Sequence, residues 1–141
     1  MTWRRCACEK RQRTISNHDE LNGWLRAYGA AWEARDGEAA ASLFAEDGVY
    51  CWGPHETPLQ GRQAIRDRRQ LATGDQRDVA FRHEILGIDG ARGFARRWST
   101  FVDSSTGSRV ELDGVFVLDF AGDALCTRLH EWWLARETPA H

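Results

Sequence analysis

Apolar residues recur at helical spacing from Leu21 onward: Leu21, Trp24, Leu25, Tyr28, Ala31 and Trp32 fall on one face of a 3.6-residue period. Asn17 followed by Glu20 reads as a capping-box start for this helix, and Gly37 after Asp36 as its left-handed stop. Ala39, Ala40, Leu43 and Phe44 repeat the pattern in a shorter helix that ends at Asp47-Gly48, and residues 49–52 predict a short strand. After a loop containing Pro54 and Pro58, Gly61 leads into a third helix with Ala64, Ile65, Leu71 and Ala72 expected inward. From Arg77 the period falls to two. Strands follow over 78–88, 92–103, 109–120 and 124–136, broken at Asp89-Gly90, at 104–107 and at Gly122-Asp123. Helices first and hairpin-linked strands afterwards predict an α+β domain with the helices on one sheet face.

The last hairpin fixes a register, and with it one candidate site residue. Gly122-Asp123 reads as a two-residue type II′ turn with glycine at its first central position. Pairing outward sets Phe116 beside Leu129 and Gly114 beside Glu131. Leu112, Phe116, Leu118 and Phe120 form the apolar face that should meet the helices, so Glu131 points the same way, with room beside a glycine. A carboxylate on an inner face suits general acid or base work; the competing reading is an ion pair with Arg96 or Arg97. His83 shares a face with Val79, Phe81 and Ile85 and reads as a hydrogen-bonded core residue. The alternating Arg109, Glu111 and Asp113 read as the solvated face of their strand.

Composition narrows the class of partner. At 141 residues the chain is one domain, read as a basic arm over 1–15 and a folded unit over 16–138. A formal charge of −2 gives no global field toward nucleic acid or membrane, and the eighteen arginines are spread among acids. The arm is expected to add little to stability. Seven tryptophans suit an aromatic cavity as well as a core. Cys6 and Cys8 lie in the arm, and with His18 they supply fewer than the four ligands of a structural zinc site, so no metal is expected. Cys51 and Cys126 fall within apolar strand patterns and read as small hydrophobes. No apolar run approaches a membrane span, and the basic start lacks the apolar core of a secretory signal, so a cytoplasmic protein is expected.

The order of helix, Asp-Gly break, short helix and aromatic strand over residues 24–50 resembles the opening of the nuclear transport factor 2-like superfamily. Pro58-Leu-Gln-Gly61-Arg62-Gln-Ala-Ile65 and the closing 112–120 stretch with Glu131-Trp132-Trp133 add to the likeness. Within the superfamily the chain is most similar to the polyketide cyclase-like, SnoaL-like, small domains and resembles ketosteroid isomerase distantly. The resemblance implies a cone-shaped, curved mixed or antiparallel sheet with three N-terminal helices packed on its concave face, and an apolar pocket between them. It places Tyr28 where ketosteroid isomerase has its oxyanion-hole tyrosine. That enzyme's base should fall just before Pro54, where Trp52-Gly53 stand, and its partner acid near Phe116, so steroid-type isomerisation is disfavoured. Arg96 followed by Trp98 also fails the Asp-Arg-Asp pattern of limonene-epoxide-hydrolase-like members. Arg68 and Arg69 stand near a position where the family usually has an aromatic, leaving that end of the cavity more polar, or more open, than usual.

The expected lining is Trp24, Tyr28, Trp32, Tyr50, Trp52, Trp98, Phe116, Glu131 and Trp133, with Glu131 and Tyr28 as catalytic candidates. The expected ligand is a small apolar or amphiphilic molecule, with no cofactor, in an isomerase, cyclase, dehydratase or hydrolase-type enzyme. The alternative is a non-catalytic ligand-binding or dimerisation module. A homodimer is expected through Val115, Val117, Trp132 and Leu134 on the outer sheet face. Two ionisable groups within hydrogen-bond reach in the pocket would favour the enzyme.

Overall fold

A computed structural model describes residues 18–140; the expectations for the 1–15 arm, the Asn17 cap and the cysteines of the arm lie outside the described residues. Helix α1 (His18–Glu33) carries Asp19 and Glu20 in its first turn, where negative charge complements the helix dipole, and buries the whole predicted apolar face. It is followed by a left-handed residue, but that residue is Arg35 (φ 56), not Gly37. Asp36 instead caps the next helix, α2 (Gly37–Ala41), accepting a hydrogen bond from the Ala39 amide at 3.0 Å. Gly37 is needed for close approach: a Cβ there would lie 2.8 Å from the Arg66 carbonyl oxygen, on the helix that α2 packs against.

Strand β1 (Phe44–Cys51) begins well before the expected 49–52, and α2 is correspondingly short. Leu43 and Phe44 do sit at helical spacing, but their backbone is claimed by the last strand. The Cys126 amide donates to the Leu43 carbonyl, and Phe44 pairs with Cys126. Tertiary pairing overrides local periodicity here. A two-residue strand, β2 (Leu59–Gln60), flanks β1, and helix α3 (Arg62–Ala72) follows. Its inward face corrects the prediction: Ile65 and Arg69, one turn apart, are buried, while Leu71 is 73% exposed.

The remaining strands are β3 (Gln76–Asp89), β4 (Arg92–Asp103), β5 (Arg109–Phe120) and β6 (Cys126–Thr138). The sheet has six strands in the order β2-β1-β6-β5-β4-β3, with β1 parallel to β6 and every other pair antiparallel. It is a mixed, open sheet with three helices among the described residues on its concave side, the expected cone. Ala95, Arg97 and Ser99 of β4, Phe116, Leu118 and Phe120 of β5, and Leu129 and Glu131 of β6 are buried on the inner face. Trp24 stacks on Tyr28 (centroids 5.3 Å apart, 9° between planes) and meets Phe44 and Phe120 edge-on. His83 is half-buried with its Nε2 2.7 Å from Asn22 Oδ1. Cys51 and Cys126 are buried free thiols.

The final hairpin departs from the type II′ turn. Gly122 does not take a positive φ; Ala124 does, at 63°. The Ala124 amide donates to the Ala121 carbonyl and the Ala121 amide to the Leu125 carbonyl, each at 3.0 Å. This is a three-residue loop closed by a left-handed residue, one residue longer than expected. A second irregularity follows at once: Phe120 pairs with Cys126 but Asp119 with Arg128, leaving Thr127 as a bulge. Each event shifts the register by one. Together they shift it by two, so inward and outward faces are as predicted while the partners change. Glu131 lies opposite Phe116 and Gly114 opposite Trp133.

The outer face carries cross-strand charge pairs: the directly opposed Arg92–Asp119 at 2.7 Å and Arg136–Glu111 at 2.6 Å, and the diagonal Arg96–Asp113 at 2.8 Å. Among the described residues no helix is long and apolar enough to cross a membrane.

Candidate functional site

A cavity of about 350 Å³ opens between α3 and the C-terminal half of the sheet. Its walls are Trp32 from α1, Arg68, Arg69 and Ala72 from α3, Tyr50 and Trp52 at the end of β1, and Gln76, Phe101, Val110, Leu112, Glu131, Trp133 and Ala135 from β3 to β6. The volume is within the usual range for a small-molecule site, and the walls are mainly apolar. Several side chains are fixed by their polar ends. Trp32 Nε1 donates to Gln76 Oε1 at 2.8 Å, and Trp133 Nε1 donates to the Trp52 carbonyl at 2.9 Å. The Arg68 guanidinium lies 3.9 Å over the Trp52 ring, pinning that tryptophan at the rim.

The polar groups gather at the inner end. Glu131 is 5% exposed, and the Tyr50 hydroxyl donates to its Oε1 at 2.6 Å. Arg97 Nε lies 3.6 Å from Glu131 Oε2, an ion pair too long for a hydrogen bond. Arg97 is 0% exposed, its Nη2 donates to Ser99 Oγ at 3.2 Å, and its guanidinium rests 4.8 Å from the Trp32 ring and 5.5 Å from Phe116. Arg69, 7% exposed, lies 4.4 Å over Trp32. The Tyr28 hydroxyl and the Arg69 guanidinium both approach the Tyr50 hydroxyl. Even so, the Tyr28 oxygen, Arg69 Nη2, and Arg97 Nε and Nη1 lack hydrogen bonds of good geometry among the described residues.

The electrostatics assign proton states to the two tyrosines. Burial, and then the negative charge of Glu131, push the Tyr50 hydroxyl well above its ordinary range, so it stays a donor. Burial also raises Tyr28, while Arg69 pulls the other way. For Arg69, burial opposes the charge, but Tyr28, Tyr50 and Glu131 outweigh it and hold the guanidinium above its usual value.

Trp32, Tyr50, Trp52, Glu131 and Trp133 of the predicted set line the cavity. Four others are placed elsewhere. Trp24 is in the core, its Nε1 donating to the Leu43 carbonyl at 2.9 Å. Phe116 is fully buried beneath Arg97. Tyr28 lies behind the wall, in contact with the lining residues Tyr50, Trp32 and Arg69. Trp98 points to the outer face, held between Arg82 at 4.6 Å and Arg96 at 4.5 Å. The expected open space beside Glu131 at Gly114 is absent: a Cβ there would fall on the Trp132 carbonyl oxygen, so the glycine admits backbone rather than ligand.

Arg69, Arg97 and Gln76 were not in the predicted set. Arg69 had a signal, since it follows the inward Ile65 by one helical turn. Arg97 shares its inner face with Ala95 and Ser99. Gln76 had no comparable signal, because it opens β3 before the alternation starts.

The SnoaL-like domain family matches residues 25–128. Solved structures agree on the fold. A polyketide cyclase candidate from Xanthomonas campestris pv. campestris is 23% identical, with TM-score 0.72 over 84% of this chain and 93% of that one. A protein of ketosteroid isomerase-like fold from Catenulispora acidiphila, solved with trimethylamine, is 17% identical, with TM-score 0.69 over 77% and 83%. An epoxide hydrolase of the limonene-epoxide-hydrolase-like type from M. tuberculosis is 18% identical, with TM-score 0.63 over 82% and 84%. No curated protein sequence matches the chain at a significant level.

Proposed function

The chain belongs to the SnoaL-like domain family, and from that premise we propose that its cavity is the active site of a proton-transfer enzyme for a small, mainly apolar substrate with an oxygen function. The observation that carries this reading is a buried carboxylate on the cavity wall, Glu131, held by the Tyr50 hydroxyl at 2.6 Å beside the Arg97 guanidinium. Solved relatives described as a cyclase candidate and an epoxide hydrolase share the fold, but a fold hosts many chemistries, so the reading rests on the site.

In this reading Glu131 takes a proton from the substrate, or from a water attacking it. Negative charge then develops on the substrate oxygen, where Arg69 supplies a cation at the inner end of the cavity. Tyr50 is a positioning residue: its hydroxyl fixes Glu131 Oε1 and leaves Oε2 for proton exchange. The aromatic walls exclude water and set the apolar character of the substrate.

The test is turnover of cyclic enones, epoxides and poly-β-keto esters, followed by mass spectrometry, in the wild type and in Tyr50→Phe. Loss of the positioning bond should lower kcat on the order of tenfold to a hundredfold with KM little changed. A Tyr50→Phe variant with unchanged kcat on a substrate the wild type converts would remove the positioning role of Tyr50, and a wild type that converts none of these compounds would leave a binding module.

The assembly is part of the same proposal. Trp132 and Leu134 are 46% and 80% exposed on the outer face, close to Val115 and Val117 on the paired strand. With Pro54 and Gly114 they line a shallow apolar depression, more apolar surface than a solvated sheet needs. A second copy would cover it. Sedimentation equilibrium is expected to give a dimer at about tens of micromolar and a monomer for Leu134→Glu; a monomeric wild type at that concentration refutes the homodimer.

A further inference from the structure

The inner end of the cavity holds more positive charge than the protein itself balances. Arg69 and Arg97 are both more than nine-tenths buried, and the acid facing them among the described residues is Glu131 alone. Arg97 is paired with Glu131, though loosely, at 3.6 Å. Arg69 is left with its approach to the Tyr50 hydroxyl and with Nη2 shut off from solvent without an acceptor. A buried guanidinium with an unused donor is costly, and stacking on Trp32 does not supply the missing acceptor. At the rim Arg68 adds a third cation over Trp52.

We propose that the cavity is a site for an apolar carboxylate, whose acid group pairs with Arg69 while its hydrocarbon part lies among Trp32, Trp52, Leu112 and Trp133. This deepens the reading of the site above by naming the substrate class: an organic acid whose carboxylate is the oxygen function held at Arg69 and whose adjoining skeleton reaches Glu131. The planar fork of a guanidinium matches the two oxygens of a carboxylate. Arg69 lines the cavity, and its guanidinium turns toward the entering acceptor, using the donor that is idle in the free protein. A cavity of about 350 Å³ accommodates a small aromatic or terpenoid skeleton with one such group. A neutral ligand of the same shape gains the apolar contacts but leaves the cation unanswered.

Calorimetric titration with 2-naphthoate and with its neutral primary amide tests the charge without changing the protein. The acid is expected to bind about tenfold or more tightly than the amide, as for a charge-assisted pair in a partly dry site. Arg69→Met keeps most of the packing against Trp32 and removes the charge. It is expected to abolish the preference for the acid. Equal or tighter binding of the amide, no binding of the acid at millimolar concentration, or an undiminished preference in Arg69→Met overturns the proposal. Proton transfer by Glu131 is read separately, by turnover of Tyr50→Phe. A wrong ligand class therefore leaves the catalytic reading standing, and a failed catalytic reading leaves the acid preference measurable.

Discussion

Glu131→Gln is expected to abolish turnover and to lower the melting temperature together. The substitution keeps the shape of the side chain and an oxygen for the Tyr50 hydroxyl, so the 2.6 Å hydrogen bond survives. It removes the proposed proton acceptor, worth about 10²- to 10⁴-fold in rate for a general base. It also removes the counter-charge of Arg97, which is 0% exposed and cannot shed its own charge. Leaving one member of a buried pair unanswered costs about 3–5 kcal/mol, or roughly 10–15 °C in a domain of this size. The double substitution Arg97→Met with Glu131→Gln separates the two effects. It should recover most of the lost stability, because a hydrophobic side chain suits the surroundings of Trp32, Phe81 and Phe116, and it should recover no activity. Thermal unfolding beside kcat on any identified substrate decides the matter: a single variant with wild-type turnover ends the role of Glu131 as the base, and one with wild-type stability ends the pairing with Arg97.

Gly114→Ala is expected to be nearly as damaging, for a reason unconnected with chemistry. Gly114 pairs with Trp133, and an added Cβ would coincide with the Trp132 carbonyl oxygen and lie 2.9 Å from Trp133 Cα. These are backbone atoms of a paired strand and cannot rotate aside. Relief requires the two strands to separate where the Trp133 side chain lines the cavity wall. Overpacking of this kind costs about 3 kcal/mol or more, seen as a fall of roughly 10 °C in melting temperature. It should also weaken ligand binding, since Trp133 Nε1 anchors Trp52 through its carbonyl. A variant that melts within a degree or two of the wild type would show that the strands part freely at this point.

The fold was legible because its main signals are long. Helix α1 runs for 16 residues with one apolar face, and each of the four long strands runs for at least 12. Elements failed where another part of the chain claimed the backbone. Phe44 fits a helix by spacing but pairs with Cys126, and no local reading of 39–47 contains that partner. The site was legible in its aromatic half and in Glu131, whose inward face and pairing with Arg97 were among the readings the sequence offered. Tyr50, Trp52 and Trp133 could be placed because large rings near the ends of inner-facing strands have few places to go. Trp98 was misplaced because an aromatic was assumed to face inward, although arginines on both sides, Arg82 and Arg96, give it a stable outer seat. The arginines were hardest. Arg69 and Arg97 sit at positions where burial alone argues against charge, and they are tolerated because aromatic faces and Glu131 surround them.

The paired irregularities at Ala124 and Thr127 make the identity of the carboxylate-bearing cavity wall depend on the residue count of a solvent-exposed loop. Deleting one residue there, without removing the bulge, would turn β6 over. His130, Trp132 and Leu134 would then be offered to the cavity, and Leu129, Glu131 and Trp133 to the outer face. The strand thus carries two side-chain sets back to back, one acidic and aromatic, the other with a histidine, and loop length selects between them. Variation in that length gives evolution, or an engineer, a route to new chemistry in the same cavity without altering a residue of the strand itself.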